Sequence, residues 1–547
     1  MVFQAKETIP VPTKDILSWI FDDVSYDQHK PIYVDTANPE RTISAHQARK
    51  IIRQLVAGLR KWGVQPGQKN VVCLHAFNDI MFPMMFLGII ASGGIFAGTN
   101  PGYTPYELAH HFRSSEARYI VTEPEMLGSI LEAAKECNIP HSNILIFNVL
   151  GQAVPAGFQS WETLLDKGEE DWVRFDDLDT SRSTEAARMF SSGTTGLPKA
   201  AMLTHRNFIA HHTQLWPMFG IGARREDIKR LLTFPMFHAA AAPVSHMTTL
   251  KLGQMGFVMR RFDLNQFLAN IQNFRITDLG LAPPIVVATI MSPISKKYDL
   301  SSLKFVQSGA APLDKGPQTK FEKLMGNDGA FTQVWGMTEA TCVVTSLPYP
   351  EKDYTGSVGR PVANIDMKLV DDDGNDITDY NVDGEICVRG PTVVPGYLNN
   401  PVGNESFDSD GFYHTGDIGY CDAESKLWYI IDRKKELIKV RGFQVAPTEL
   451  EAVLLSHPQI VDAAVIGVQF GRDESQLPRA YVVKRPGPDG ERLTEQNVKK
   501  HMEEKLAKYK RLDGGVIFVG AIPRNASGKI LKRILRDEAK KEMEAKL

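Results

Sequence analysis

Short apolar runs alternate with amphipathic segments over roughly the first 350 residues, and this alternation constrains the fold more than any other feature. NVVCLHA precedes a Met-rich stretch, RYIVTE precedes MLGSILEAAKEC, and DLGL precedes APPIVVATIM. Each apolar run has the character of a strand, and each following segment has that of a helix. Strands that alternate with helices form parallel sheets covered by helices. We therefore predict the α/β fold class for this part of the chain.

The pattern changes near Tyr354 and again after Asp432. KLVDDDGND, GEICVRG and WYIID are typical of short strands between turns, which indicates a β-rich subdomain. After the charged segment DRKKELIKVRG, helical and strand-like segments alternate again over about 110 residues, a typical size for a small domain. A chain of 547 residues is too long for one hydrophobic core. We predict a large N-terminal domain of residues 1–432 and a small, mobile α+β domain of residues 433–547.

Charge is distributed unevenly between these two parts. The formal net charge of -3 argues against general nucleic-acid binding. From Asp432 onward there are 24 Lys and Arg against 17 Asp and Glu, whereas the rest of the chain has 38 against 48. A basic C-terminal part suits an anionic cosubstrate, and a solvated basic surface explains it equally well.

Cysteine usage and the apolar stretches exclude several classes of protein. Five scattered cysteines without a CxxC pair indicate neither a disulfide framework nor a zinc site, and they favour a reducing compartment. The start of the chain lacks the features of a signal peptide. Residues 80–99 are long enough to span a bilayer, but Pro83 and the pair Gly93 and Gly94 favour a buried helix followed by a strand. We expect no membrane span.

The segment FSSGTTGLPKAAMLTH has the composition of a phosphate-binding loop, because backbone N–H groups of such a turn converge on phosphate oxygens. Hydroxyl donors come from Ser191, Ser192, Thr194 and Thr195, and Lys199 adds a positive charge. In a Walker loop the lysine directly follows the last glycine, whereas two residues separate Gly196 from Lys199. The preceding ARMF indicates a strand, so the loop is expected at a strand's carboxyl end. A flexible linker is the weaker alternative.

Five further segments each have a functional and a structural explanation. FPMFHAAAAP sets His238 among small and apolar residues, where a core histidine is common. In QVWGMTEA, which follows the turn SGAAPL, Trp335 suits stacking on a base and Glu339 suits Mg²⁺ beside phosphates. YHTGDIG places Asp417 in a tight turn suited to ribose hydroxyls, and NASGKILKR places Lys529 in a turn. Taken singly, core packing, turn chemistry or a solvated lysine accounts for each.

The order and spacing of these segments resemble the adenylate-forming superfamily of acyl-CoA synthetases, peptide-synthetase adenylation domains and beetle luciferases. The most specific part is SSGTTGLPK followed by WGMTE, TGD, DRKKELIKVRG and SGK, and the match runs from about Asp15 to Arg533. SGAAPL, GFQVAPTELE and PRNASGKILKR most closely resemble the 4-coumarate–CoA ligase branch. The resemblance implies an ATP-dependent ligase that forms an acyl-AMP and pyrophosphate, then an acyl-CoA and AMP. The first step joins two anions, so cationic and Mg²⁺ screening is expected.

The resemblance also implies roles for individual residues. The nucleotide would be held by Ser191, Ser192, Gly193, Thr194, Thr195, Gly196 and Lys199 at the phosphates, by Gly309, Ala310, Ala311, Pro312, Gln333, Trp335 and Gly336 at the adenine, and by Asp417 and Arg433 at the ribose. Thr194 and Glu339 would hold Mg²⁺, and Thr338 would contact the α-phosphate. Lys529 would bridge the substrate carboxylate, the α-phosphate and the ribose.

A second set of residues would serve the thioester step. The small domain would rotate about Lys435, carrying Lys529 away from the adenylate. Lys439 and Gln444 would then approach it, while Arg441 and Gly442 would line the pantetheine path of coenzyme A. The catalytic set implied by the resemblance is Lys529, His238, Lys439, Thr338 and Glu339.

The acyl pocket is expected to include Phe237, His238, Ala241, Gln307, Gly309, Gly336, Met337, Cys342 and Val343. The 4-coumarate–CoA ligases usually carry lysine at the position of Gln307 and proline at that of Cys342, so recognition of a 4-hydroxyl group does not carry over. An aromatic, phenylpropanoid-like or medium-chain acid fits, and a very long fatty acid fits less well.

Three alternatives use the same motifs. A luciferase-like enzyme would oxygenate the adenylate, and a stand-alone adenylation enzyme would load a carrier protein. A nucleotide-binding pseudoenzyme is disfavoured because Lys199, Glu339, Asp417 and Lys529 are all present. The terminal tripeptide of Ala545, Lys546 and Leu547 is close to the Ser-Lys-Leu peroxisomal signal. We expect binding to the peroxisomal import receptor and a peroxisomal location, otherwise a cytoplasmic one.

Overall fold

The structure is a computed structural model that describes residues 1–191, 198–219, 228–311, 313, 315–434, 436–440, 443–469, 476–506, 508–525 and 528–544, without the side chains of residues 443, 444, 543 and 544. Its large N-terminal part contains two seven-stranded sheets covered by helices and an antiparallel β-rich subdomain. The predicted fold class is confirmed.

The first sheet contains the strands on both sides of the predicted phosphate loop. In spatial order its strands are Lys199–Thr204, Glu185–Ser191, Ile95–Gly98, Val71–His75, Ala117–Thr122, Ile144–Ile146 and Gln159–Ser160. All neighbours are parallel except the first pair, which is antiparallel. Residues 80–99 form the buried helix Phe82–Ala91 and the buried strand Ile95–Gly98, as expected.

The second sheet has the same character. In spatial order its strands are Ala330–Gln333, Phe305–Ser308, Asp278–Leu281, Lys229–Leu232, Met255–Val258, Pro31–Asp35 and Thr42–Ser44. Only the last pair is antiparallel. The prediction of parallel sheets is thus right for the interior strands and wrong for one edge of each sheet. A short connection returns the chain beside the strand it has just left, which produces an antiparallel pair.

Local sequence accounts for where several helices begin. Ser44 and Gln47, Thr104 and Glu107, and Thr204 and Asn207 form capping boxes that satisfy the first N–H groups of three helices. The α-helices of the N-terminal part are Ile16–Phe21, Ala45–Trp62, Phe82–Ala91, Pro105–Ser115, Leu127–Glu136, Leu178–Ser183, His205–Leu215, Thr249–Leu252, Leu264–Phe274, Pro283–Met291, Lys315–Glu322 and Pro401–Asn404. A π-helical turn, Pro243–Thr248, precedes Thr249–Leu252.

The β-rich subdomain follows the change in sequence pattern near Tyr354. Its antiparallel sheet has the order Val2–Gln4, Asp366–Val370, Gly384–Arg389, Tyr413–Cys421 and Trp428–Arg433. The pairing of Val2–Gln4 with Asp366–Val370 brings the N-terminal strand into this sheet. A smaller sheet is formed by Trp335–Met337, Cys342–Ser346 and Arg360–Pro361.

The C-terminal unit has its own sheets and its own core. Its strands are Ile438–Val440 with Phe443–Val445, and Ile460–Val468, Leu477–Lys484 and Val516–Phe518. Its α-helices are Pro447–Leu455, Pro488–Glu491, Glu495–Glu503 and Lys532–Glu544. Buried apolar residues from Ile438 to Ala539 form two clusters separate from the large cluster that ends at Trp428. Within the described ranges, no helix is long and apolar enough to cross a membrane.

Candidate active site

The predicted phosphate loop connects two paired strand ends. Ser191 ends one strand, Lys199 begins the next, and the two residues are register partners. Ser191 therefore lies at the carboxyl edge of the first sheet, where ligands bind in α/β folds. Ser192, Gly193, Thr194, Thr195 and Gly196 lie outside the described residues.

A buried cluster at the predicted ribose position joins Asp417, Arg433 and Trp335. Asp417 and Arg433 are register partners on neighbouring strands, with Arg433 Nε 3.0 Å from Asp417 Oδ1. Trp335 Nε1 donates to Asp417 Oδ2 at 2.8 Å. Both carboxylate oxygens therefore have donors, and the indole is fixed beside the proposed nucleotide site.

Lys529 of the C-terminal unit interacts electrostatically with Asp417 and Arg433 of this cluster. Burial and then repulsion from Arg433 lower the pKa of Lys529 to about 8, although Glu436, Asp417 and Glu339 act in the opposite direction. Its neighbour Gly528 has a φ of +87°, and a Cβ there would lie 3.1 Å from Ala282 Cβ. The turn that carries Lys529 thus packs directly against the N-terminal domain.

Arg433 keeps its charge in the same field. Burial by itself lowers the pKa of Arg433, but the carboxylates of Asp417, Glu436 and Glu339 outweigh burial and raise the pKa above its ordinary value. Two cations and three carboxylates therefore surround the junction between the large domain and the C-terminal unit. Of these groups, Arg433 and Lys529 are the ones that can stabilise an anion at this junction.

Glu339 lies in the short helical turn Thr338–Ala340 and is buried. Tyr397 Oη donates to Glu339 Oε1, and Tyr413 Oη lies 3.0 Å from Tyr397 Oη. The segment around Tyr397 was not predicted as part of the site. Its sequence, VPGYLNN, has no chemistry-bearing motif, and only the fold brings it beside Glu339.

The predicted adenine-binding segments lie at the end of the second sheet. Gly309, Ala310 and Ala311 follow strand Phe305–Ser308, and Ala310 has a φ of +75°. Gln333 fixes this turn because its amide accepts from Leu313 N at 3.2 Å and donates to Leu313 O at 2.8 Å. Pro312 lies outside the described residues.

A partly open cavity of about 170 Å³ lies beside these segments. Of the predicted pocket residues, His238, Ala241, Gln307, Gly309, Gly336, Met337, Cys342 and Val343 line it. Phe237 is not among the residues that line this cavity. Its Cβ packs against Gly98 in the first sheet, only 2.8 Å from where a Cβ on that glycine would stand.

Backbone contacts define the wall next to Glu339. A Cβ on Gly336 would lie 1.7 Å from Cys342 O, so only glycine fits this strand pair. Cys342 itself has a φ of +154° and Thr341 one of +62°, both strained for residues other than glycine. Burial raises the pKa of the Cys342 thiol to about 12, so this cysteine is a neutral wall residue.

Sequence reasoning missed several polar residues of the cavity wall, among them Arg230 and His211. Arg230, in strand Lys229–Leu232, is buried with its guanidinium 4.2 Å from the centre of the Phe219 ring. His211, in helix His205–Leu215, accepts a hydrogen bond from Val343 N at 3.0 Å. The run KRLLTF was a signal for Arg230, because a charged residue at the start of a buried strand needs partners.

The residues predicted for the thioester step are not part of this arrangement. Lys439 is exposed on the hairpin of Ile438–Val440 and Phe443–Val445, and its backbone N–H donates to Gln476 Oε1 at 3.2 Å. Gln444 pairs with Lys439 in that hairpin. Lys435, Arg441 and Gly442 lie outside the described residues, so the predicted hinge and pantetheine path stay predictions.

Comparison with known proteins identifies the family of this chain. The sequence matches the AMP-binding enzyme family over residues 21–398 and the AMP-binding enzyme C-terminal domain over residues 449–529. Phenylacetyl-CoA ligase epaB of Aspergillus niger is 50% identical over 543 residues, which is 98% of this chain and 99% of that protein. 4-Coumarate:CoA ligase 1 of Petunia hybrida is 34% identical, over 95% of this chain and 93% of that protein.

Solved structures show the same architecture. ATP-bound MatB from Rhodopseudomonas palustris has a TM-score of 0.84 at 26% identity, over 97% of this chain and 99% of that chain. The chain belongs to the AMP-binding enzyme family. It is an AMP-forming acid–thiol ligase, and the predicted superfamily and enzyme class are confirmed.

Proposed function

We propose that this ligase activates a monocyclic aryl acid of the phenylacetate class and transfers the acyl group to coenzyme A. The cavity beside Met337 and Thr338 carries the proposal, because it encloses about 170 Å³. An apolar protein cavity of about 150 Å³ accommodates a benzene ring. The size therefore favours one aromatic ring over a long alkyl chain. The name of the relative that is 50% identical, phenylacetyl-CoA ligase, supports the same class.

His238 is suited to orient the acid. Its Nδ1 accepts from Ala240 N at 3.1 Å, so the neutral ring carries its proton on Nε2. Burial lowers the pKa of His238 to about 4, which keeps the ring neutral at pH 7. The Nε2–H group would donate to the substrate carboxylate and hold it near the nucleotide.

The residues around Glu339 fit a magnesium ion. Tyr397 occupies one oxygen of the Glu339 carboxylate, and within the described residues the other oxygen accepts no hydrogen bond. A carboxylate oxygen such as that of Glu339 is a ligand that Mg²⁺ prefers. Thr194, the other predicted ligand, lies outside the described residues. When bound, Mg²⁺ would supply charge screening between the substrate carboxylate and the phosphates.

Cationic side chains would promote formation of the acyl-AMP. Lys529 would bridge the attacking carboxylate and the α-phosphate, while Asp417 would accept from the ribose hydroxyls and Arg433 would hold Asp417 in place. Attack of the carboxylate on the α-phosphorus forms the acyl–phosphate bond and releases pyrophosphate. Coenzyme A thiolate would then attack the acyl carbon and release AMP, after rotation of the C-terminal unit has brought Lys439 inward.

Pyrophosphate release tests this proposal. Purified protein with ATP and Mg²⁺ is assayed on phenylacetate, 4-hydroxyphenylacetate, cinnamate, hexanoate and palmitate, with and without coenzyme A. We expect the highest kcat/KM on phenylacetate, stimulation by coenzyme A, and phenylacetyl-CoA as product. A preference for palmitate would contradict the substrate class. Oxygen consumption in place of thioester formation would favour the luciferase-like alternative. Acyl transfer only to a carrier protein would favour a stand-alone adenylation enzyme.

We propose a peroxisomal location on sequence grounds alone. The residues concerned, Ala545, Lys546 and Leu547, lie outside the described residues. A fluorescent reporter that carries the last twelve residues of the sequence should collect in peroxisomes, and the same reporter with Lys546→Asp should not. A diffuse signal from the unchanged reporter would contradict the proposal and leave the enzymatic one untouched.

A further inference from the structure

Tyr397 connects two parts of the active site that are far apart in the sequence. Its segment runs antiparallel beside the strand that begins at Lys199, with Met202 N donating to Gly396 O at 3.0 Å and Leu398 N donating to Ala200 O at 2.9 Å. Tyr397 forms a bridge with Ala201 between these two bonds. The backbone of Tyr397 is therefore tied to the strand that leaves the phosphate loop.

The side chain of Tyr397 reaches Glu339. The residue is only 4% exposed, and its hydroxyl donates to Glu339 Oε1. Tyr413 Oη lies 3.0 Å from the same hydroxyl. A donor fixed in this way restricts the carboxylate to one orientation.

The aromatic ring of Tyr397 contacts the lysine of the phosphate loop. Lys199 Nζ lies 5.2 Å from the ring centre, within the range of a cation–π interaction. On the other side the amine is close to Gly403, where an added Cβ would stand 3.1 Å away. One buried side chain thus contacts both the proposed ligand of Mg²⁺ and the proposed phosphate-binding lysine.

We propose that Tyr397 is a positioning residue that holds Glu339 and Lys199 in register for binding Mg²⁺ and ATP. The inference rests on the proposed function, because it assumes that these two residues bind the metal and the phosphates. The hydroxyl acts on the metal ligand and the ring acts on the lysine. The two contributions are separable, because one substitution removes the hydroxyl alone and another removes the ring as well.

The first test measures binding without turnover. Mn²⁺ binding in the presence of α,β-methylene ATP, which cannot be split between the α- and β-phosphates, is followed by electron paramagnetic resonance. Tyr397→Phe should weaken Mn²⁺ binding about tenfold, because a hydrogen bond to a charged group is lost. Tyr420→Phe is the matched control, because it removes a tyrosine hydroxyl from strand Tyr413–Cys421 whose ring stacks on Tyr429. It should change Kd less than twofold.

The second test isolates the ring. In EDTA, binding of α,β-methylene ATP is measured by titration calorimetry. Tyr397→Phe should bind like the wild type, whereas Tyr397→Leu should bind several-fold more weakly because the contact with Lys199 is lost. If Tyr397→Leu does not fold, the first test still stands, because it measures Mn²⁺ binding by Tyr397→Phe.

Several outcomes would overturn the inference. If Tyr397→Phe lowered Tm but left the Kd for Mn²⁺ unchanged, the tyrosine would be a core residue only. Equal losses in Tyr397→Phe and Tyr420→Phe would show general damage to packing. If the wild-type protein itself did not bind Mn²⁺ with the ATP analogue, the proposed function would fail first, and that result is distinct from a defect confined to the variants.

Discussion

Asp417 and Arg433 face each other across two antiparallel strands, with Arg433 Nε 3.0 Å from Asp417 Oδ1. The second oxygen of Asp417 accepts from Trp335 Nε1 at 2.8 Å. The carboxylate thereby links a cation, an indole and the predicted ribose position. Asp417→Ala should raise the KM for ATP at least tenfold, because hydrogen bonds to a charged group contribute roughly 1.5–3 kcal/mol each.

The measurement for Asp417 combines kinetics and fluorescence. ATP should change the Trp335 emission of the wild type, and this change should require higher ATP in Asp417→Ala. Asp422→Asn is the control, since this carboxylate lies in a turn beyond the same strand and accepts from Glu424 and Ser425 in that turn. An unchanged KM for ATP in Asp417→Ala would remove Asp417 from the nucleotide site.

Lys529 should give the adenylation step a basic pH limit. Its pKa is lowered to about 8, so the charged fraction falls as pH rises through that value. The rate of acyl-AMP formation should therefore decline above pH 8. Lys529→Arg should extend the active range upward because arginine stays protonated. A profile that is the same in wild type and Lys529→Arg would contradict this role.

The same lysine should separate the two half-reactions. Lys529→Ala should abolish acyl-AMP formation and spare thioester formation from synthetic acyl-AMP, because the lysine would serve only one domain orientation. Equal slowing of both half-reactions would argue against two orientations.

The lowered pKa of Lys529 also predicts an effect of this residue on stability. A lysine whose pKa is lowered on folding destabilises the fold while it is charged, below pH 8. Lys529→Ala should thus show a higher Tm than the wild type at pH 7.

Lys435→Pro should suppress the thioester step and leave acyl-AMP formation largely intact. Proline fixes φ at the residue where the resemblance places the hinge. Single-turnover assays of the two half-reactions provide the measurement, and Lys435→Ala is the control because it removes the charge but keeps the rotation free. Equal turnover with coenzyme A in the proline and alanine variants would rule out a hinge at this residue.

The roles of Asp417, Arg433 and Lys529 were predicted because the order and spacing of short motifs resemble those of the adenylate-forming superfamily. The structure brings these three residues into one electrostatic field. Tyr397 could not be found in this way, because its contact with Glu339 depends on a strand pairing between distant segments. The same limit applies to strand Val2–Gln4, whose partner lies in the β-rich subdomain.

Gly336→Ala should disable acyl-AMP formation. The new Cβ would lie 1.7 Å from Cys342 O, so the strand pair must separate and displace the turn that carries Thr338 and Glu339. A displacement of about 1 Å at a reacting group costs about 100-fold in rate. Gly128→Ala is the control, since nothing lies within 4 Å of that position in a helix. Full activity in Gly336→Ala would show that this wall can adapt.

Gln307→Lys should shift the acid preference toward 4-hydroxylated substrates. Gln307 lines the cavity, and its Nε2 donates to Ser346 Oγ at 2.9 Å, so a side chain of this length already places a polar group in the wall. A lysine there would offer a charged donor to a phenol oxygen, worth about tenfold or more in relative kcat/KM. The ratio of kcat/KM for 4-hydroxyphenylacetate to that for phenylacetate is the measurement, repeated with coumarate and cinnamate. Gln307→Met is the control, because methionine has a similar length and no hydrogen-bond donor, and it should lower or preserve both ratios. Unchanged ratios in Gln307→Lys would show that residue 307 does not contact the substituent on the substrate ring.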